Sequence, residues 1–178
     1  MAVYTEVNFS QAQELLQHLA LGELQSLEGS SGGIENTNYF VSAERGGSVS
    51  HYVLTLFERL SFEQLPCYLN LMRHLAQRGL PVPLPMANGS GKNLHRVQGM
   101  PAALVKRLPG ASQLAPQVAH CASLGAALAQ LHRVGRDFNE SLPNLRGLDW
   151  WNATVPVVLP FLDEAKAALL RSELAYQN

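Results

Sequence analysis

The apolar positions change their period twice along the chain. Leu15, Leu16 and Leu19 recur at helical spacing after Ser10, which predicts a short helix with Ser10 as its N-cap and Gly22 as its stop. Strand-like runs follow: a weak one over 23–28 (ELQSLE), then 39–43 and 51–58 (HYVLTLFE), the last two separated by Gly46-Gly47. Such short connections allow only an antiparallel meander. From Ser61 the period returns to helical, with Gln64 completing a capping-box pattern and Leu65, Leu69, Met72, Leu75 and Ala76 as the apolar face. Gly79 ends that helix, and Pro81, Pro83 and Pro85 force an extended connection. Two more strands are predicted over 94–97 and 102–108.

Beyond Gly110 the pattern is helical. Val118, Cys121, Leu124, Leu128 and Leu131 form one apolar stripe, ended by Gly135. An irregular connection over 137–151 carries Trp150 and Trp151, and a last helix is expected over 160–175 with Leu162, Ala165, Leu169 and Leu170 inside. The fold class that follows is α+β: a five-stranded antiparallel sheet with one main helix, then the first helices of an all-helical part.

The loop at 28–41 (EGSSGGIENTNYFV) concentrates glycine and serine between the first two strands. Gly29, Gly32 and Gly33 would let the backbone take positive φ or approach a ligand closely. Such a loop serves a nucleotide-phosphate cradle or a plain turn. Gly29-Ser30-Ser31-Gly32-Gly33 also fits the G-x-S-x-G elbow with Ser31 as nucleophile, but that motif needs a helix directly after it, and a strand is predicted instead. Gly89-Ser90-Gly91-Lys92 resembles a P-loop ending. It has Met86 where glycine is required and Asn93 where a hydroxyl is required, so it reads as a hairpin turn.

Composition narrows the classes. Hydrophobic residues make up 47% of 178 and charged residues 15%, the balance of a folded chain, and a net charge of −1 gives no electrostatic footprint for nucleic acid or an anionic membrane. Cys67 and Cys121 lie in apolar helical patterns and read as buried thiols of a reducing compartment. No secretory signal and no membrane span is visible, so a cytoplasmic location is expected.

A glycine loop between two strands, a third strand, a helix, two strands and then helices is the element order of protein-kinase-like phosphotransferases. Six collinear runs narrow it: GGIENTNYFV (32–41), YVLTLFER (52–59), RGLPVPLPM (78–86), MPAALVKRLPG (100–110), LGAALAQLH (124–132) and NLRGLDWW (144–151). Together they resemble the bacterial homoserine kinases of the aminoglycoside-phosphotransferase-like superfamily. The resemblance implies ATP-dependent phosphorylation of the L-homoserine hydroxyl, a step of threonine biosynthesis, with Mg²⁺ on the ATP phosphates. Another small-molecule kinase of aminoglycoside or choline type, or a nucleotide-binding piece without turnover, is the alternative. It implies a nucleotide-binding N-lobe over 1–108 and the start of a helical C-lobe over 109–178. It places Ser30, Ser31, Gly32, Gly33, Asn36 and Asn38 in the phosphate-facing loop. The backbone of Val105, Lys106 and Arg107 then faces the adenine edge, with both basic side chains in solvent.

Two departures qualify the pattern. The third-strand position where many kinases carry a phosphate-holding lysine is Thr55, and the following helix offers Glu63 at its start and Tyr68 and Asn70 farther in. A catalytic loop of H-x-D-x-x-x-x-N type is absent. The nearest approach runs from His132 to Asp137, with the aspartate too far along for that spacing. The expectation is an N-terminal piece of a longer kinase: no catalytic residue or metal ligand is assigned within it, and it is expected to show no turnover by itself. Trp150 and Trp151 are expected in the core between lobes.

Overall fold

The structure, a computed structural model, describes residues 4–32 and 34–178. Gly33 therefore lies outside the described residues. The chain divides into two compact units, Met1–Glu140 and Ser141–Asn178, each described here by itself.

The first unit opens with helix α1, Phe9–His18. Its cap is Asn8 rather than Ser10: the Asn8 side chain accepts the Gln11 N–H, and the Gln11 side chain accepts the Asn8 N–H. Strands β1 (Glu23–Gly29), β2 (Asn36–Arg45) and β3 (Ser48–Phe57) form the expected meander. Gly46 and Gly47 both take positive φ, 60° and 82°, which a two-residue hairpin of primed type requires. β4 (His95–Val97) and β5 (Met100–Lys106) complete one antiparallel sheet of order β1-β2-β3-β5-β4.

Alternation along β2 and β3 decides the two faces. Tyr39, Val41 and Ala43 on β2, Leu54 and Leu56 on β3 and Leu104 on β5 pack with Ala12, Leu15 and Leu16 of α1 in one core. Leu16, Leu54 and Leu56 are fully buried, and truncating any of them to alanine costs about 2–5 kcal/mol. β1 looks weak as a strand because a bulge near Gln25 breaks its alternation, which sends Leu24 and Leu27 to the same face although they are three apart.

Helix α2 spans Leu65–Gln77, later than the predicted start at Ser61. Residues 61–64 form a turn in which Gln64 Oε1 accepts the Ser61 N–H, so half of the capping box exists ahead of the helix. Pro66, suited to a first helical turn, sets the start. Leu65, Leu69 and Leu75 are its buried residues. Helix α3 spans Val118–Gly135, and its apolar stripe buries nothing: Val118 is 86% exposed and Leu124 61%.

In the second unit, α4 runs over Leu148–Val158 and α5 over Glu164–Gln177, with a 3₁₀ turn between them. Trp150 and Trp151 belong to α4, not to an irregular connection, and Arg146 stacks on the Trp150 ring at 4.8 Å. α5 begins four residues later than predicted because Asp163 caps it by accepting the Lys166 N–H. Leu162 precedes α5, and Leu169, expected inside, is 71% exposed. No helix among the described residues is long and apolar enough to cross a membrane.

Candidate functional site

The sheet face opposite α1 gathers most of the predicted site. The register places Phe40 beside Val53 and Val53 beside Val105, one half-buried apolar row across three strands. The next row joins Asn38 to Thr55 and Thr55 to Ala103. Asn36, two residues before Asn38, shares this face by alternation. An apolar row beside an amide-bearing row suits a flat base next to a phosphate chain, about 7 Å apart along the strands.

The glycine loop lies at the end of β2 that carries the polar row. Ser30 N–H donates to the Asn38 carbonyl at 2.8 Å, which brings the loop back onto β2. Ser30 Oγ and the Gly32 backbone bond each other at 3.2 and 3.3 Å, and Ser31 is exposed. Gly32 does not use the left-handed region. A Cβ there would stand in open space, with Ser30 Oγ as its nearest neighbour at 4.0 Å. Its N–H is already engaged by Ser30 Oγ, so what glycine leaves at this position is open space beside the loop. Strand β2 follows the loop directly, so Ser31 lacks the helix N-terminus of a nucleophile elbow.

Thr55 Oγ1 donates to Asn38 Oδ1 at 2.7 Å. With that oxygen taken, Asn38 offers its amide N–H groups to a ligand, one of them only weakly held by the Asn36 carbonyl at 3.4 Å. The threonine standing at the lysine position therefore acts on the site through Asn38. Glu63 has no counterpart there: it is exposed ahead of α2, and a hydrogen bond from Ser61 holds its carboxylate below the usual range. Asn70 Nδ2 reaches Glu140 Oε1 instead.

In the Val105–Arg107 segment the backbone amides are already engaged within the fold. Lys106 N–H already donates to the Leu84 carbonyl at 2.9 Å, and Arg107 N–H to the His51 carbonyl at 3.0 Å. Val105 is paired with Val53 in the ladder. These amides are not available to a base edge. The carbonyl of Lys106 and the backbone of Leu108 are the next groups along the chain. Both basic side chains are exposed, as expected. Lys106 projects on the α1 side with Tyr52, whereas Arg107 lies 4.4 Å over the Phe40 ring on the site face. The sequence reading missed Phe40 and Val53, whose alternation with buried Tyr39 and Leu54 was the available signal.

Two look-alikes resolve into structure. Asn88 Oδ1 accepts from Ser90 N–H, Ser90 Oγ and Lys92 N–H, so the glycine-lysine run is a side-chain-capped turn. Asp137, the misplaced aspartate, accepts from Arg78 at 2.9 Å and lies 3.1 Å from His74 Nε2, tying the end of α3 to α2. The Arg78 guanidinium beside it holds its carboxylate below the usual range. Among the described residues no three His, Cys, Asp or Glu side chains come together as a metal site. A separate cavity of about 850 Å³ lies between α1, the start of α2 and β4, lined by His18, Phe62, Lys92 and His95 among others, and shares no residue with the loop.

Comparison with known proteins agrees with this fold. Residues 26–178 match the model described as "Phosphotransferase enzyme family". The chain is 58% identical over 178 residues to a homoserine kinase of Polaromonas naphthalenivorans, covering 100% of this chain and 55% of that protein. It is 50% identical over 177 residues to a homoserine kinase of Cupriavidus necator, of which it covers 54%. The chain thus spans about half the length of the curated relatives it matches. Among solved structures, a spectinomycin phosphotransferase in complex with ADP and spectinomycin superposes with a TM-score of 0.62 at 16% identity, over 94% of this chain and 53% of that one. An amicoumacin kinase in complex with AMP-PNP and Ca²⁺ gives 0.59 at 19% identity, over 89% and 50%.

Proposed function

This chain belongs to the phosphotransferase enzyme family, and we propose that it is the nucleotide-binding part of a kinase that transfers the γ-phosphoryl of ATP to the hydroxyl of L-homoserine. The observation that carries the reading is identity to homoserine kinases along the whole chain, 58% in one case. The two antibiotic kinases share only the fold at 16% and 19% identity, so they do not favour an antibiotic as substrate.

In this reading the adenine lies against Phe40, Val53 and Val105, and its edge meets the Lys106 carbonyl and the Leu108 backbone. The phosphates run toward Ser30, Ser31 and Gly32, where the Ser31 backbone amide and the Asn38 carboxamide donate to them. Asn36 lines the same path. These neutral donors stand in for the missing third-strand lysine. Mg²⁺ would supply charge neutralisation on the phosphates, and no residue of this chain is assigned to it. The chain's own residues bind and orient the nucleotide; proton transfer from homoserine is assigned to none of them. The division into an N-lobe over 1–108 and a helical lobe from 109, and a cytoplasmic location, belong to the same proposal.

The test is a substrate comparison with the full-length protein, following ADP release and phosphate-ester formation by ³¹P NMR. L-homoserine should give the highest kcat/KM, with choline and aminoglycosides at least about a hundredfold lower, the discrimination expected of a site that pairs its substrate's polar groups. Preference for choline or an aminoglycoside would overturn the assignment.

A further inference from the structure

The face of β2 turned away from the site carries a hydroxyl network that the binding role leaves unexplained. Thr37 sits between Asn36 and Asn38 and is fully buried. Its Oγ1 accepts the N–H groups of Tyr4 and Thr5 at 2.9 and 3.1 Å and donates to Glu58 Oε1 at 2.6 Å. That is the full capacity of a hydroxyl. Thr5 Oγ1 donates to the other Glu58 oxygen at 3.1 Å. Two residues on, Tyr39 OH accepts the Val7 N–H at 2.9 Å and donates to the Thr5 carbonyl at 3.1 Å. Tyr4 OH donates to the Ile34 carbonyl, inside the loop, at 3.2 Å.

The segment 4–7 thus runs along the back of the strand that carries Asn36 and Asn38, and it reaches the loop at Ile34. It lies outside residues 26–178, the part matched by the family at large. Val and Phe would fill the same volumes as Thr37 and Tyr39, and neither could satisfy three backbone amides of the segment.

We infer that residues 4–7 are a brace that holds the glycine loop in its phosphate-binding form, with Thr37 as the positioning residue through which the brace acts. The inference rests on the nucleotide role proposed for the loop. A loop held in its competent form binds at its intrinsic affinity, and a loosened one loses affinity by the fraction of time spent elsewhere.

The experiment uses the full-length protein and the variants Thr37→Val, Thr37→Ser and Tyr4→Phe, assayed well below their melting temperatures. Thr37→Val should raise KM for ATP about tenfold, the loss expected when the competent loop falls to about a tenth of the population. kcat and KM for homoserine should stay within about twofold, and Thr37→Ser, which keeps the hydroxyl, should restore KM. Amide hydrogen exchange over residues 30–38 should quicken in Thr37→Val and not in Thr37→Ser. Should Thr37→Val fail to fold, Tyr4→Phe decides: it deletes one exposed bond and should still quicken exchange at 34–36. Unchanged exchange in the variants, or a fall in kcat with KM for ATP unmoved, overturns the brace. A wild-type protein that binds no ATP overturns the kinase reading instead, while the exchange comparison, which needs no nucleotide, still decides whether the segment orders the loop.

Discussion

Thr55 Oγ1 lies 2.7 Å from Asn38 Oδ1, across neighbouring strands, on the sheet face assigned to the nucleotide. This bond fixes the asparagine so that its donor end faces outward. In the proposed function it accounts for a kinase-like sheet that manages without a lysine in its third strand: the phosphates would meet oriented amides rather than a point charge.

Thr55→Val should therefore weaken AMP-PNP binding to the full-length protein about five- to tenfold, the equivalent of about 1–1.4 kcal/mol for one buried hydrogen bond. Asn38→Leu, which removes the donor itself, should weaken it more. Isothermal titration calorimetry reads both. Equal affinities for wild type and Thr55→Val would remove the threonine from the account.

Arg107 covers Phe40 from the solvent side at 4.4 Å. Arg107→Ala should cost stability by about 0.5–1 kcal/mol, the size of an exposed cation–π contact, measured by urea denaturation. The guanidinium covers the face of Phe40 on which the adenine is proposed to lie and has to move aside when ATP binds, so losing a contact of this size should change ATP affinity by no more than about threefold.

His95 should make the fold sensitive to acid. Burial pushes its imidazole below the ordinary value of 6.5, with His18 acting in the same direction and the Met86 carbonyl opposing. The unfolded chain then binds a proton that the folded chain resists, so stability is complete above about 6.5 and falls as pH drops below it. The melting temperature of wild type should decline more steeply from pH 7 to pH 5 than that of His95→Gln. Parallel declines would show that other groups carry the acid sensitivity.

The apolar stripe of α3, with Leu124 at 61% and Leu128 at 46% exposure, leaves contiguous hydrophobic surface uncovered. The 178-residue chain should bind 8-anilinonaphthalene-1-sulfonate and self-associate, and Leu124→Glu with Leu128→Glu should reduce both. Dye fluorescence and analytical ultracentrifugation give the comparison.

Much of the sheet was legible because alternation and turn chemistry agree: Gly46-Gly47 between two alternating runs leaves little choice. β1 was harder, since a bulge at Gln25 hides its period. Helix starts were misplaced where a cap competed with a plausible neighbour, Asn8 against Ser10 and Asp163 against Pro160. The glycine loop, Asn36 and Asn38 could be singled out because their composition is local. Phe40, Val53 and Thr55 come together only through strand register, and the engaged amides of Lys106 and Arg107 depend on the distant residues Leu84 and His51. Local composition carries no record of such pairings. The helical part was least legible, because α3 buries none of its residues and α5 only Ala167.

The nucleotide is proposed to occupy the sheet face of Phe40, Asn38, Val53 and Val105. Photolabelling of the full-length protein with 8-azido-ATP, followed by peptide mapping, addresses it directly. Label is expected in peptides spanning 26–42, 51–57 and 100–108, suppressed by excess ATP. Label confined instead to α1 and residues 88–98, around the separate cavity by His18 and His95, would contradict it.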